Sequence, residues 1–297
     1  MIAVITGVAG QDGSWMADLL LKEGWEVYGL ARPCPRDKKD NLKLAITNPN
    51  FHLLEGDITN AHTIDMLVDL KPDHFYHFAA ISHVRSSFNL PSLIMETNAG
   101  STAMILERLW NKHNGCRFYH AGSSEMFPTN NGELSANSPY AASKVAAHLL
   151  TKVYRDMGMF AISCISYNHE SSRRGREFVT MKIVEHAKKG IPVSLGNINS
   201  LRDWHHAEDT IKGIYKAMCY STPIDFTFAS GESHSIKNFI ITVEDILNTT
   251  IDFSVNDPLF IRPNDVNYLI GNANRAWELL TWQPRSFKEM VEEMVNG

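Results

Sequence analysis

Tyr140 and Lys144 stand four apart at the head of a helical pattern that opens after Ser138-Pro139. That spacing puts both side chains on one helix face. An ammonium beside a phenol favours the phenolate, so the pair is expected to lower the tyrosine pKa and let it accept a hydroxyl proton. Oxidation of a carbinol needs such a base together with a hydride acceptor. Upstream, Ser123-Ser124-Glu125 follows a strand ending near Ala121. Ser123 can hydrogen-bond the reacting hydroxyl or the tyrosine. Glu125 adds an acid/base group that a simple alcohol oxidation does not need. It suits an elimination, in which a proton leaves the carbon beside a new ketone and a departing hydroxyl must be protonated. Read blandly, the same glutamate caps a helix or pairs at the surface.

The hydride acceptor is indicated at the other end of the chain. Thr6-Gly7-Val8-Ala9-Gly10-Gln11-Asp12-Gly13 follows the first strand and opens the first helix. Glycines there allow a tight turn, close backbone approach to a pyrophosphate and close helix–strand packing. The helix N-terminus then meets the anion. At the end of the second strand, Leu30-Ala31-Arg32 offers a guanidinium where an NAD enzyme has a carboxylate, so the cofactor expected is NADP. Asp57-Ile58 is placed for the adenine, and Phe78-Ala79-Ala80 supplies small groups where a cofactor crosses the sheet edge. Either segment also reads as turn and core packing.

The elements that must position these groups alternate. Strands are expected at Ile2–Thr6, 26–30, Phe51–Glu55, 74–78, 117–121 and Ala161–Ser166, with helices at 13–23 and 63–70. This pattern predicts an α/β fold, a doubly wound parallel sheet of Rossmann type. Past residue 167 helices dominate, at Val179–Lys189, Ala207–Cys219, Ile236–Leu247, Asn274–Leu280 and 287–295. The division expected is a dinucleotide-binding domain over 1–167, a smaller, mainly helical substrate lobe over 168–297, and segments within about 195–231 crossing back.

Bulk properties exclude several classes. The 297 residues suffice for one large domain or a domain with a smaller lobe, and a formal charge of −5 with mixed signs argues against binding nucleic acid by bulk charge. No apolar run reaches membrane-spanning length, and the N-terminus lacks the pattern of a signal peptide. Cys34, Cys116, Cys164 and Cys219 form no CxxC pair, which points to a reduced, cytoplasmic setting where the Asn248-Thr249-Thr250 sequon has no role. No metal is expected. His205-His206 are adjacent and point apart, and His74 and His77 are read as facing opposite sides of a strand. Residues 36–40 read as a solvated loop, Trp277 and Trp282 as core.

With these residues in hand, the chain resembles the GDP-mannose 4,6-dehydratase family of extended short-chain dehydrogenase/reductases over nearly its whole length. The resemblance is carried by residues 5–14, 79–84, Ser123-Ser124-Glu125, Ser138-Pro139-Tyr140-Ala141 with Lys144, and Asn168-His169-Glu170-Ser171. It continues through Arg173-Arg174-Gly175, 178–180, 195–197, 201–204 and Ile261-Arg262-Pro263. It implies that Tyr140 is the base for C4 oxidation, with Lys144 supporting it on the nicotinamide ribose, and that Glu125 removes the C5 proton and assists loss of the C6 hydroxyl. It implies NADP contacts from Gly7, Gly10, Gln11, Asp12, Gly13, Arg32, Ser82, His169 and Arg174. It also implies that Ser87, Asn168, Val179, Lys182, Arg202, Arg262 and Asp265 hold a GDP-sugar.

Several positions depart from the family pattern: Ser123 for threonine, Asp265 for glutamate, Ile81 for glutamine, Leu93 for tyrosine, Ser172 for proline, and Pro33 for a second arginine. The segment 33–50 differs from the loop that in relatives reaches a neighbouring subunit, which leaves homodimer and homotetramer both open. Loops near 127–137 and 247–260 look short. Two other enzyme readings share the Tyr140–Lys144 pair, a nucleotide-sugar 4-epimerase and a 4-keto-6-deoxy-sugar reductase. Neither needs Glu125. A non-catalytic dinucleotide sensor would need none of the three groups.

Overall fold

Alternate residues of the first-half strands enter different layers, and that alternation builds the sheet. A computed structural model describes residues 1–33, 40–129, 132–260 and 266–297. The strands are β1 (Ile2–Thr6), β2 (Glu26–Ala31), β3 (Phe51–Glu55), β4 (His74–His77), β5 (Arg117–Ser123), β6 (Ala161–Ser166), β7 (Asn168–Glu170), β8 (Val193–Ser194), β9 (Leu201–His206), β10 (Thr227–Phe228), β11 (Ser233–Ser235), β12 (Phe253–Ser254) and β13 (Tyr268–Leu269). Seven of them form one parallel sheet in the order β10-β6-β5-β4-β1-β2-β3.

The main helices are α1 (Gln11–Lys22), α2 (Ala61–Asp69), α3 (Ser101–His113), α4 (Pro139–Asp156), α5 (Val179–Lys189), α6 (Ala207–Cys219), α7 (Ile236–Leu247), α8 (Asn274–Leu280) and α9 (Phe287–Asn296). Ala3, Ile5, Tyr76, Tyr119, Ile162 and Cys164 face α1 and α6 in one apolar cluster. Val4, Phe75, Phe118 and Ala161, one residue out of step, face α2 and α3 in another. Two apolar faces demand helices on both, which is the doubly wound fold.

Helix limits follow local chemistry. Gly10 is the N-cap of α1, so the helix opens at Gln11, two residues earlier than its apolar pattern suggests. The Ser138 hydroxyl accepts the Ala141 N–H at 3.1 Å and Pro139 takes the first position of α4. Gly190, with φ 62°, ends α5. α3 is a helix that the periodicity reading does not single out; it continues a π-helical turn at Met95–Gly100.

The second half is less purely helical than expected. Four strands, β7, β9, β11 and β13, form a small sheet centred on β9. The carboxylate of Asp203 on β9 accepts from the Ser230 and Gly231 amides at 2.7 and 2.9 Å and from the Gly271 amide at 3.1 Å, which ties three segments together. A separate apolar cluster, including Met181, Val184, Trp204, Phe239 and Met290, packs α5, α7 and α9 around β9. Between these pieces the chain returns to the large sheet: α6 packs on α1, and β10 pairs with β6. None of the described helices is long and apolar enough to cross a membrane.

Candidate active site

The loop after β1 has the shape of an anion cradle. Gly7 adopts φ 74°, and a Cβ there would lie 2.8 Å from the Ala79 amide nitrogen. A Cβ at Gly13 would lie 2.4 Å from the Gly7 carbonyl oxygen and 2.7 Å from Val8 Cα. Neither position tolerates a side chain. Gly10 is exposed and caps α1 without a side-chain hydrogen bond, so the first-turn N–H groups remain for an anion. These residues fit the pyrophosphate of a dinucleotide.

Beneath the cradle, β7 is locked to α1. Gln11 Nε2 donates to the His169 carbonyl at 3.0 Å, and the Ser171 hydroxyl donates to Gln11 Oε1 at 2.9 Å. His169 Nδ1 lies 2.7 Å from the Tyr167 carbonyl and Nε2 lies 2.9 Å from Asp12 Oδ2. Both partners are acceptors, so both ring nitrogens carry protons and the imidazole is cationic. Arg173 stacks 3.8 Å from the Trp15 ring and donates to Asp18 at 2.6 Å. Arg174 lies over Phe178 at 3.6 Å and pairs with buried Glu170 at 3.2 Å.

The reacting groups gather at the end of β5 and the start of α4. Tyr140 and Lys144 are buried, at 8% and 4% exposure. β5 runs two residues beyond its expected end, which brings Ser123 up to the phenol. Ser123 Oγ accepts the Glu125 N–H at 3.3 Å, and its hydroxyl is hydrogen-bonded to Tyr140. Burial pushes the phenol up to about 12; the Ser123 bond pulls it down, Glu125 pushes it up, and Arg174 pulls it down. The expectation that Lys144 lowers this pKa is not met. Its ammonium donates to the Ala121 carbonyl at 2.8 Å and sits 5.9 Å from the phenol ring centre. Burial lowers Lys144 itself to about 8.

Two residues set this corner from below. Ser87, fully buried, donates to the Val84 carbonyl at 2.6 Å and accepts the Tyr140 N–H at 3.2 Å, so its hydroxyl is used in seating the helix. Asn98, which the motif reading misses, holds both backbone groups of Ile81, at 2.9 and 3.2 Å, and donates to Ser143 at 3.0 Å. Its π-helical setting is visible only in three dimensions.

The remaining candidates are spread around the cleft. Arg32 is exposed and its charge helps to hold the Asp57 carboxyl down, after the Thr59 amide bond. The Ile58 side chain belongs to the core. Phe78 packs on Tyr119, the Ala79 N–H reaches Thr6 Oγ1 at 3.3 Å, Ala80 is half-buried and Ser82 exposed. Asn168 pairs with Trp204 in register, and Val179 opens α5 with 38% exposure. Lys182 donates to the Ser194 carbonyl at 2.7 Å and covers the Phe260 ring at 3.6 Å. Arg202 is buried, with Nη1 bonded to the Leu201 carbonyl at 3.0 Å. Arg262, Asp265, Cys34 and most of the 36–40 loop lie outside the described residues. His206, Glu208 and Asp209 bring ligand atoms within 4.8 Å of one another. Arg285 holds both carboxylates, at 2.7 and 2.9 Å, so the group is a salt-bridge cluster.

Comparison with known proteins completes the picture. A family model described as GDP-mannose 4,6 dehydratase matches residues 4–294. GDP-mannose 4,6 dehydratase 1 of Arabidopsis thaliana is 37% identical over 320 aligned positions, covering 99% of this chain and 89% of the relative. The Homo sapiens GDP-mannose 4,6 dehydratase is 31% identical, with 100% and 91% covered. Among solved structures, UDP-glucuronic acid 4-epimerase from Bacillus cereus, complexed with UDP-glucuronic acid and NAD, superposes with TM-score 0.88 at 24% identity, covering 100% and 98%. dTDP-glucose 4,6-dehydratase from Bacillus anthracis, with NAD, gives 0.88 at 19%, covering 100% and 96%. At these identities the solved structures establish the fold.

A parallel seven-stranded sheet, a glycine cradle on the first helix and a buried Tyr–Lys pair beside it define an enzyme built on the doubly wound, Rossmann-type fold. The chain belongs to the GDP-mannose 4,6-dehydratase family. It is an enzyme of nucleotide-sugar 4,6-dehydration, a hydro-lyase reaction.

Proposed function

We propose that the chain converts GDP-mannose to GDP-4-keto-6-deoxymannose and keeps NADP as its resident cofactor. One observation carries this reading: Tyr140 is hydrogen-bonded to Ser123 and stands in the field of the Glu125 carboxylate. A 4-epimerase or a 4-keto-6-deoxy-sugar reductase needs no such carboxylate.

A nicotinamide dinucleotide bound in the cleft would accept hydride from C4 and return it to C6. Gly7, Gly10, Gln11, Asp12 and Gly13 would cradle its pyrophosphate, with His169 and Arg174 close by. Exposed Arg32 would meet the 2′-phosphate, and Asp57 and the Ile58 backbone the adenine. Phe78, Ala79, Ala80 and Ser82 would line its passage over β4. Lys144 would hold the nicotinamide ribose. Tyr140, with Ser123 donating to its oxygen, removes the C4 hydroxyl proton. Glu125 then takes the C5 proton, acidified by the new ketone, and gives a proton to the departing C6 hydroxyl. Asn168, Val179, Lys182 and Arg202 are assigned to the GDP-sugar, as are Arg262 and Asp265 from their motif.

The test is incubation of the purified protein with GDP-mannose and no added reductant, followed by mass spectrometry. A product lighter by one water is expected. Failure to dehydrate any sugar in a nucleotide-sugar panel, by protein that retains its cofactor, sinks the reading.

We also infer a homo-oligomer in the cytoplasm. Leu149 and Val153 on α4 and Met157 at its C-cap, spaced by four, are 45%, 52% and 49% exposed, an apolar stripe suited to a second copy. Cys116, Cys164 and Cys219 are free thiols, as a reducing compartment would keep them.

A further inference from the structure

Thr6, His77, His120 and Ser163 are register partners on β1, β4, β5 and β6. They form a polar row across the face on which Phe75, Phe118 and Ala161 lie two residues earlier. None is more than 2% exposed. Burying such a row costs desolvation, so its hydrogen bonds need an account.

One half of the row is closed. The Ser101 hydroxyl donates to the Thr97 carbonyl and so accepts from His77 Nε2 at 3.2 Å. His77 Nδ1 then accepts from Thr6 at 2.7 Å, and Thr6 accepts the Ala79 N–H. This half sets Ala79 against Gly7.

The other half has an open end. His120 Nδ1 and His148 Nδ1 both lie 2.9 Å from Ser163 Oγ. One hydroxyl proton cannot serve both, so Ser163 donates to one ring and accepts from the other. His120 Nε2 is buried with no hydrogen-bond partner among the described residues. Lys144, bonded to the carbonyl of the next residue, exerts the largest charge effect on His120, and the His77 ring is 6.4 Å away. His148 sits one turn below Lys144 on α4, half-buried, in the field of Asp225 and Arg155.

We propose that His120, Ser163 and His148 are a proton relay between the Tyr140–Lys144 pocket and solvent. The proposal rests on Tyr140 being the base. In the dehydration the C4 hydroxyl proton passes to Tyr140, and the C5 proton leaves with the C6 oxygen as water. C5 must be reprotonated when C6 receives hydride, so Glu125 regains a proton from solvent and Tyr140 must lose one in every turnover. Lys144 turns from the Ala121 carbonyl to give an ammonium proton to His120 Nε2, and the amine so formed takes the Tyr140 proton in its place. His120 Nδ1 passes a proton to Ser163, Ser163 passes its own to His148 Nδ1, and His148 Nε2 releases one to water. Nothing is oxidised, and no bond between heavy atoms changes. Ring and hydroxyl rotation reset the row.

The first test is histidine ¹⁵N NMR of the intact protein. His120 should be the Nδ1–H tautomer and His148 the Nε2–H tautomer; His120 protonated at Nε2 instead would be unable to accept from Lys144 and would overturn the relay. The second test is kinetic. Ser163→Ala should lower kcat by roughly 10-fold with KM unchanged, less than the loss of a substrate-contacting acid or base. It should also raise the solvent deuterium isotope effect while leaving the first hydride transfer intact in a single turnover. The conservative Ser163→Thr should recover the lost rate, and added imidazole should restore His148→Ala. Unchanged kcat and isotope effect in Ser163→Ala, or no imidazole rescue of His148→Ala, overturns the relay. Full activity in Tyr140→Phe overturns the underlying reading instead.

Discussion

Asp12 and His169 form an ion pair, Nε2 to Oδ2 2.9 Å, that joins the first turn of α1 to β7. Burial alone pushes the Asp12 carboxyl up, but the His169 charge and hydrogen bond, with Arg174 and Gln11, hold it at about 2. Burial likewise acts to lower His169, and Asp12 with the Tyr167 carbonyl raises it above 6.5. The carboxylate's contribution to stability is full above 3.8 and is lost as pH falls through about 2. The imidazolium's contribution is full below 6.5 and is lost as pH rises through its raised value. Asp12→Asn should therefore cost about 2 kcal/mol between those limits and less in alkali. Thermal melts across pH check it, and a penalty independent of pH would contradict the pairing.

Gly13→Ala should be severe. The added methyl meets the Gly7 carbonyl oxygen and the Val8 backbone, neither of which can swing away. A cost of about 1–3 kcal/mol and loss of dinucleotide binding are expected. Gly115→Ala is the control, since a Cβ there meets nothing within 4 Å. Melting temperature and a fluorescence titration with NADP read both variants. Wild-type binding by Gly13→Ala would remove the cradle from the argument.

Tyr140→Phe and Glu125→Gln should fail at different steps. Each should lose about 10²- to 10⁴-fold in kcat. Tyr140→Phe should stop before any hydride moves, whereas Glu125→Gln should accumulate reduced nicotinamide because oxidation at C4 remains possible. Single-turnover absorbance distinguishes them. Identical traces would mean that Glu125 has no separate part.

Arg32 should decide between cofactors. A lost charge-assisted contact of about 1.5–3 kcal/mol corresponds to roughly 10- to 100-fold weaker binding. Arg32→Ala should show that loss for NADP and none for NAD. Calorimetric titration measures both, and an equal loss for the two would assign Arg32 some other role.

Much of this architecture was legible because its chemistry is local. A glycine cradle must lie between β1 and α1, and a Tyr–Lys pair must share one turn of α4, so short spacings reveal both. What escaped depends on long-range register or on strands too short to alternate. β9 buries Arg202, Asp203, His205 and His206, so no apolar rhythm marks it. Asn98 becomes meaningful only when Ile81 and Ser143 close around it. His120 and Ser163 are far apart in the sequence and meet only because β5 and β6 pair in one register. The Tyr140 pKa was misjudged for a similar reason: i,i+4 spacing predicts proximity, but the Lys144 ammonium turns to the Ala121 carbonyl and burial prevails.

Glu293 on α9 accepts from the Ser172 amide at 2.9 Å and hydroxyl at 2.6 Å, and its carboxylate lies 3.0 Å from His206 Nε2. The segment that braces the cradle from Gln11 to Arg174 is thus held by a residue near the end of the chain. During synthesis, residues 1–167 emerge first but lack this brace until α9 has left the ribosome. Cofactor capture should therefore wait for α9, and nascent chains stalled before α9 should not retain the dinucleotide.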